Sequence, residues 1–152
     1  MPRARWPGLP IGAAGLVVYA YVRGSEVVAV SFEALDARGV RLSERWRRTV
    51  GARAGAAFRV RGGGEVLHVA EGEIDALALA RCKTGSVYGA GGTSGVASCA
   101  ALIGHHREVV IHADGDRGGR RSAARGLASV RARGVRARVC FYRDDPAAEV
   151  ER

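Results

Sequence analysis

Two short apolar runs of the same design constrain the fold of this chain more than any other feature. Residues 66–70 read Val-Leu-His-Val-Ala, and residues 109–113 read Val-Val-Ile-His-Ala. Each run has the length and residue types of a buried β-strand, and each leads into acidic residues and then into a helical pattern. Strands that alternate with helices at this spacing predict βαβ units, and therefore an α/β fold with a parallel sheet flanked by helices.

The alternation of strands and helices extends through the second part of the chain. Helices are predicted over residues 72–82, 94–102 and 118–133, and strands over residues 66–70, 86–88, 108–113 and 135–142. Earlier, Val, Tyr and Phe are frequent in two runs separated by turn residues, which predicts a hairpin of residues 15–21 and 26–35. The arginine-rich residues 40–50 fit either an edge strand or a loop, and residues 54–60 form a short apolar stretch.

The length of 152 residues suits one compact domain or a small domain with an extension. Gly62-Gly63-Gly64 marks a flexible joint where the character of the sequence changes. The predicted division is therefore a strand-rich N-terminal region at 1–62, an α/β domain at 63–146 and a tail at 147–152.

The charge of the chain favours a polyanionic partner. The formal net charge is +9, and residues 117–143 hold nine arginines and no acid. Such a field attracts nucleic acid above all, although arginine abundance also fits a compositional bias of the source genome. The three cysteines are too widely spaced for a disulfide framework or a zinc site, and no apolar run reaches the roughly 18 residues of a membrane span. We therefore expect a cytoplasmic protein without a membrane partner.

Acidic residues follow both apolar runs. Glu71 and Asp75 come after the first run, and Asp114 and Asp116 come after the second. In parallel sheets, ligands gather at the carboxyl ends of the strands, so these four side chains would converge if the two strands are neighbours. Clustered carboxylates repel one another unless a cation lies between them, and Mg²⁺ prefers oxygen ligands. The sequence therefore predicts a metal site.

A plainer interpretation exists for some of these residues. Asp75 and Asp116 could simply cap helices, a common role of aspartate, but capping leaves Glu71 and Asp114 unexplained at strand ends. Of the four histidines, two lie within strand patterns and two lie in a predicted surface turn. The first two, His68 and His112, are expected to be hydrogen-bonded core residues, and the other two, His105 and His106, to be surface residues without a function.

The sequence E-G-E-I-D at residues 71–75 and the sequence D-G-D-R-G-G at residues 114–119 resemble the paired motif of the Toprim domain. Toprim domains occur in bacterial-type primases, topoisomerases, OLD-family nucleases and RecR-type repair proteins. The resemblance implies that Glu71 serves acid–base catalysis and that Asp114 and Asp116 bind Mg²⁺, or Mn²⁺ in its place. Asp75 corresponds to the second acid of the first motif and is assigned to the metal, while Gly72 and Gly119 are the glycines of the two motifs.

The surrounding sequence most resembles the primase branch, including the primase-like proteins of phages and plasmids. Residues 88–95 resemble its glycine-rich loop, in which Gly91 and Gly92 would approach a phosphate, although loop flexibility alone would explain them equally well. Arginines early in the last helix could contact a nucleic-acid backbone or be a solvated face; they are Arg117, Arg120, Arg121 and Arg125. Asp144 and Asp145 resemble the late acidic segment of that branch, but solvated tail acids are the preferred interpretation.

The resemblance implies Mg²⁺-dependent nucleotidyl transfer, with primer synthesis from nucleotides on a DNA template that could be single-stranded. The sequence has no cysteine-rich zinc module and no helicase P-loop. We therefore expect a fragment or subunit that works with a helicase or zinc-module partner. Two alternatives stay open at this point, since the same carboxylates serve them: a Toprim-type Mg²⁺-dependent nuclease, and a non-catalytic nucleic-acid-binding subunit.

Overall fold

The computed structural model describes residues 12–42 and 47–143. Three α-helices lie among them, α1 (Glu73–Cys82), α2 (Thr93–Ala97) and α3 (Arg117–Arg131), with a short 3-10 helix at Cys99–Leu102. The strands are β1 (Gly15–Arg23), β2 (Glu26–Leu35), β3 (Arg47–Gly51), β4 (Ala57–Arg61), β5 (Val66–Ala70), β6 (Ser86–Gly89), β7 (Glu108–Asp114) and β8 (Arg136–Tyr142). The predicted alternation of strands and helices after residue 65 is confirmed.

The eight strands form one mixed sheet in the order β3-β2-β1-β4-β6-β5-β7-β8. Strands β6, β5, β7 and β8 run parallel to one another, and the strands of the first part pair antiparallel. The two halves meet where β4 pairs antiparallel with β6. The α/β fold with a strand-rich N-terminal region is therefore confirmed, and the sheet is continuous across the glycine joint. The division of the chain at residue 62 stays a prediction.

The predicted hairpin is formed by β1 and β2, which pair along their full length across a turn at Gly24. Gly24 has a φ of +61°, a conformation that glycine adopts without the steric cost of a Cβ. Within residues 40–50, the edge-strand alternative is confirmed for residues 47–50, because β3 pairs with β2 over residues 47–51. Residues 43–46 lie outside the described residues.

Helices cover the parallel part of the sheet on both faces. On one face, α2, the 3-10 helix and α3 pack on alternate strand residues such as Leu67, Val69 and Ile111, all fully buried. On the other face, α1 packs through Ala76 and Leu79 on the buried side chains of β5 and β6. Side chains that alternate between two covered faces explain why these strands read as continuous apolar runs.

One predicted helix is broken. Residues 94–102 were expected to form a single helix, but the α-helix ends at Ala97 and a 3-10 helix follows. The Ser98 hydroxyl donates to the Ser94 carbonyl oxygen at 2.8 Å, and the Ala101 amide donates to the Ser98 carbonyl oxygen at 3.0 Å. Such i to i+3 bonds tighten the chain, and local serine hydrogen bonds compete with regular helix geometry.

No helix among residues 12–42 and 47–143 is long and apolar enough to cross a membrane.

Candidate metal site

The two acid-bearing strands are direct neighbours. β5 and β7 pair in parallel, with Ala70 opposite His112. Glu71 comes one residue after Ala70 and Asp114 two residues after His112, so both acids lie at the same edge of the sheet. Helix α1 begins two residues after Glu71, and helix α3 begins three residues after Asp114. The topology therefore brings both motifs to one crevice, as expected from the parallel arrangement.

Glu71 shows how closely the acids converge. Burial raises the pKa of the Glu71 carboxyl, and the negative charges of Asp114, Asp116 and Asp75, in that order, raise it further. The Glu71 Oε2 atom is buried, and no group in the described part of the chain donates a hydrogen bond to it. A buried carboxylate oxygen among like charges is costly, and a cation would relieve both the burial and the repulsion.

Asp75 and Asp116 also act as helix caps. Asp75 Oδ2 accepts a hydrogen bond from the Gly72 amide at 3.1 Å, and Asp116 Oδ1 accepts one from the Gly119 amide at 2.6 Å. The plainer capping interpretation is thus confirmed for both residues. It does not exclude metal binding, because an ionised carboxylate offers about four lone-pair positions on its two oxygens.

The motif glycines permit close backbone contacts. A Cβ at Gly119 would lie 2.4 Å from the Asp114 carbonyl oxygen, which is far inside van der Waals contact. A Cβ at Gly72 would lie 3.0 Å from Asp75 Oδ2. Glycine at residue 119 is therefore required by the tight turn that carries the second pair of acids.

The glycine-rich loop is tied to the end of β5. The Ala90 amide donates to the Ala70 carbonyl oxygen at 2.9 Å, and the Gly92 amide donates to the Glu71 carbonyl oxygen at 2.8 Å. The Gly92 amide is therefore engaged in holding the loop against the acids. A phosphate contact by Gly91 and Gly92 stays a prediction.

Arg120 differs from the other arginines that the sequence analysis grouped with it. Its Nε donates to the Gly115 carbonyl oxygen at 2.7 Å, and its guanidinium lies over the Phe141 ring, 5.0 Å from the centroid. All four arginines, Arg117, Arg120, Arg121 and Arg125, are exposed, so the difference lies in these contacts and not in burial. A phosphate-binding role stays a prediction for Arg117, Arg120 and Arg121, and the contacts of Arg120 favour a structural role for it.

Sequence reasoning missed three residues beside the acids. Glu73, in the first turn of α1, is almost fully buried and accepts a hydrogen bond from the Tyr21 hydroxyl of β1. The Arg53 Nη1 donates to the Tyr21 hydroxyl oxygen at 3.3 Å. Burial raises the pKa of the Glu73 carboxyl, and the charge of Asp75 adds to this. The sequence shows only an acid in the first turn of a helix, which is usually solvated.

Three of the four histidines are buried, whereas the sequence analysis predicted two buried and two at the surface. His68 and His112 are buried and bonded to each other, with 2.9 Å between His68 Nδ1 and His112 Nε2, as expected for core residues. The prediction of a surface position is wrong for His106, which is 4% exposed and bonded through Nε2 to the Ser86 hydroxyl at 2.7 Å. The turn folds this ring inward because Ser86 and the Ile103 carbonyl offer it two polar partners. His105 is exposed.

The acids do not form a ready-made cage. Among residues 12–42 and 47–143, no group of three or more His, Cys, Asp or Glu side chains has the geometry to hold a metal ion as it stands. Mg²⁺ typically uses one or two protein carboxylates and completes its shell with waters and substrate phosphates. The buried Glu71 oxygen and the charged neighbours that raise its pKa fit such a partial ligand set. Asp144 and Asp145 lie outside the described residues.

Residues 68–148, more than half of the chain, match the family described as Toprim-like. The chain belongs to this family. No curated protein matches the sequence significantly.

The fold is similar to that of DNA primases of known structure. The primase fragment of the bacteriophage T7 primase-helicase protein superposes with a TM-score of 0.60 at 24% identity, covering 87% of this chain and 55% of that one. A DNA primase domain from Pseudomonas aeruginosa gives 0.60 at 22% identity, covering 87% and 52%. The DnaG primase catalytic domain bound to single-stranded DNA gives 0.59 at 21% identity, covering 87% and 53%. The chain therefore spans about half the length of these proteins.

Proposed function

We propose that the chain is the Toprim part of a DNA primase-like enzyme that joins nucleotides on a DNA template in an Mg²⁺-dependent reaction. One observation carries the proposal: half-buried Glu71 has a buried oxygen that receives no hydrogen bond in the described part of the chain, and it lies among three aspartates where parallel strands lead into helices. The primase folds of the structural neighbours support the choice of primer synthesis over other Toprim reactions.

The residues have separate roles in this proposal. Asp114 and Asp116 hold Mg²⁺, with Asp75 at the edge of the ligand set. The ion, when bound, neutralises charge on nucleotide phosphoryl oxygens. Glu71 accepts the proton of the attacking hydroxyl, because its partial burial and its acidic neighbours favour the protonated form.

The proposed partners follow from the charge and from the neighbours. Single-stranded DNA is bound by one neighbour, and another is part of a primase-helicase protein. We extend both to this chain: a single-stranded DNA template and nucleotides as ligands, and a helicase or zinc-module protein as the partner. The excess of positive charge supports a nucleic-acid ligand.

Template-dependent incorporation of labelled nucleotides tests the proposal. The wild type, with Mg²⁺, single-stranded DNA and the partner protein added where one is encoded nearby, should extend products. Glu71→Gln and the double variant Asp114→Asn, Asp116→Asn should lose this activity, and the exposed Glu65→Gln should keep it. Loss of intact DNA without added nucleotides would instead establish the nuclease alternative. Binding of DNA with neither reaction would leave the non-catalytic subunit.

A further inference from the structure

A groove between α2 and α3 opens beside the candidate metal site. It has a volume of about 340 Å³ and is lined by Thr93, Ser94, Ala97, Gly118, Arg121, Ser122 and Arg125. Its two walls, α2 and α3, both begin next to the candidate metal site. Thr93 follows Gly92, whose amide is bonded to the Glu71 carbonyl oxygen, and the backbone at Gly118 approaches Asp116 so closely that a Cβ there would lie 3.4 Å from Oδ1.

The floor of the groove is rigid. Helix α3 packs so tightly on α2 that a Cβ at Gly126 would lie 2.5 Å from the Val96 carbonyl oxygen. Ser122 is buried, and its hydroxyl donates to the Gly119 carbonyl oxygen at 3.0 Å. The backbone of α3 is therefore held in place relative to α2, so the groove has a fixed position relative to the acids, as a binding site next to a reacting centre requires.

The two arginines of the groove form no ion pair within the described part of the chain. Arg121 and Arg125 are both exposed. They lie at i and i+4 on α3, so they are neighbours on one face of the helix, with about 5–6 Å between Cβ atoms. Arg120, one residue earlier, is turned away onto Gly115 and Phe141. Two adjacent guanidinium groups, with hydroxyls opposite them on Thr93 and Ser94, form a surface for consecutive phosphates.

We propose that this groove binds the backbone of a single-stranded polynucleotide, with Arg121 and Arg125 contacting successive phosphates next to the one at the acids. The inference rests on the proposed function for the identity of the ligand. It assigns Arg121 and Arg125, among the arginines considered above, to the nucleic-acid interface, adds Thr93 and Ser94, and leaves Arg120 outside it. Phosphate contacts of this kind position a strand without reading its sequence.

Fluorescence anisotropy with a labelled single-stranded oligothymidine tests the groove. The titrations are done in EDTA over a range of salt concentrations, so that neither metal binding nor catalysis enters the result. The double variant Arg121→Gln, Arg125→Gln should bind on the order of tenfold more weakly than the wild type. The slope of log Kobs against log salt should become shallower by about 1.4, which is about 0.7 for each lost phosphate contact to a single strand.

Arg133 provides the matched control, because it is exposed, lies beyond the far end of α3 and has no acidic partner among the described residues. Arg133→Gln should change the affinity and the salt slope by less than about a third of the change expected for the loss of one groove arginine. Unchanged binding by the double groove variant, or an equal loss in Arg133→Gln, would overturn the inference. Failure of the wild type to synthesise primers would instead count against the proposed function and leave this comparison intact.

Discussion

The Tyr21 hydroxyl donates a hydrogen bond to the Glu73 carboxylate, across a sequence separation of 52 residues. This contact joins β1 of the N-terminal strands to the first turn of α1, next to Glu71. Arg53 lies over the Tyr21 ring at 5.3 Å from the centroid, and a Cβ at Gly91 would lie 2.9 Å from Tyr21 Cε1. The N-terminal strands therefore form one wall of the crevice that holds the acids.

Replacing Tyr21 by Phe should destabilise the protein by about 1–3 kcal/mol, because a buried carboxylate loses a hydrogen-bond donor. Urea unfolding measures the change. Tyr19→Phe is the matched control: its hydroxyl donates to Glu33 Oε2 at 3.3 Å, and Glu33 also has an ion pair with Arg41 at 2.9 Å, so its loss should be smaller. A Tyr21→Phe protein as stable as the wild type would show that the contact contributes nothing.

Gly119→Ala should cost more than about 3 kcal/mol and should weaken Mg²⁺ binding, because the new Cβ would collide with the Asp114 carbonyl oxygen at 2.4 Å. The neighbouring Gly118→Ala adds the same methyl group at an exposed position, where its closest contact would be 3.4 Å. That variant should be neutral or up to about 1 kcal/mol more stable, since alanine favours a helix over glycine. Thermal unfolding distinguishes the two, and equal midpoints would contradict the close approach.

Glu71→Gln should increase the stability of the metal-free protein while abolishing activity. The folded-state pKa of Glu71 is raised, so the folded protein binds more protons than the unfolded chain between pH 4.5 and that raised pKa, and stability is lost as pH rises through this window. The neutral amide removes this loss, and the gain should be larger at pH 8 than at pH 4.5. Unfolding curves at the two pH values measure it. A variant less stable than the wild type at pH 8 would argue against charge repulsion at Glu71.

His112 should stay neutral well into the acid range, because burial and the neighbouring His68 lower its pKa to about 3. The unfolded chain, with a histidine pKa near 6.5, then binds more protons between pH 6.5 and about 3. The contribution of His112 to stability is therefore present above pH 6.5 and is lost as pH falls through this window. NMR titration of the imidazole nitrogens measures it, and a His112 midpoint near 6.5 would contradict it.

The same network fixes both histidine tautomers. The Thr84 carbonyl oxygen only accepts, so His68 Nε2 carries the proton at 3.1 Å from it and His68 Nδ1 accepts from His112 Nε2. His112 Nδ1 then accepts from the Tyr142 hydroxyl at 2.7 Å. Nitrogen chemical shifts at neutral pH should show the Nε2–H form for both rings, and an Nδ1–H form in either would be inconsistent with this chain of bonds.

The features that could be predicted from the sequence are those that short stretches of neighbouring residues determine. Apolar runs of strand length, glycines at turns and acids at the ends of strands are visible in short windows, so the parallel sheet and the position of the acids were predicted correctly. The partner of Glu73 could not be predicted, because Tyr21 is remote in sequence and first-turn acids are usually solvated. His106 was misjudged for the same reason, because its burial depends on a contact with the remote Ser86. The contacts of Arg120 could not be predicted either, because they depend on the pairing of β7 with β8, which brings Phe141 within reach.

Calorimetric titration with Mg²⁺ and Mn²⁺ tests the central claim most directly, that the acids at the ends of β5 and β7 bind a divalent cation. The wild type is compared with the double variant Asp114→Asn, Asp116→Asn and with Glu65→Gln, which removes an exposed acid away from the site. The account predicts saturable binding in the wild type and in Glu65→Gln, and none in the double variant. Equal or negligible binding in three folded proteins would contradict it.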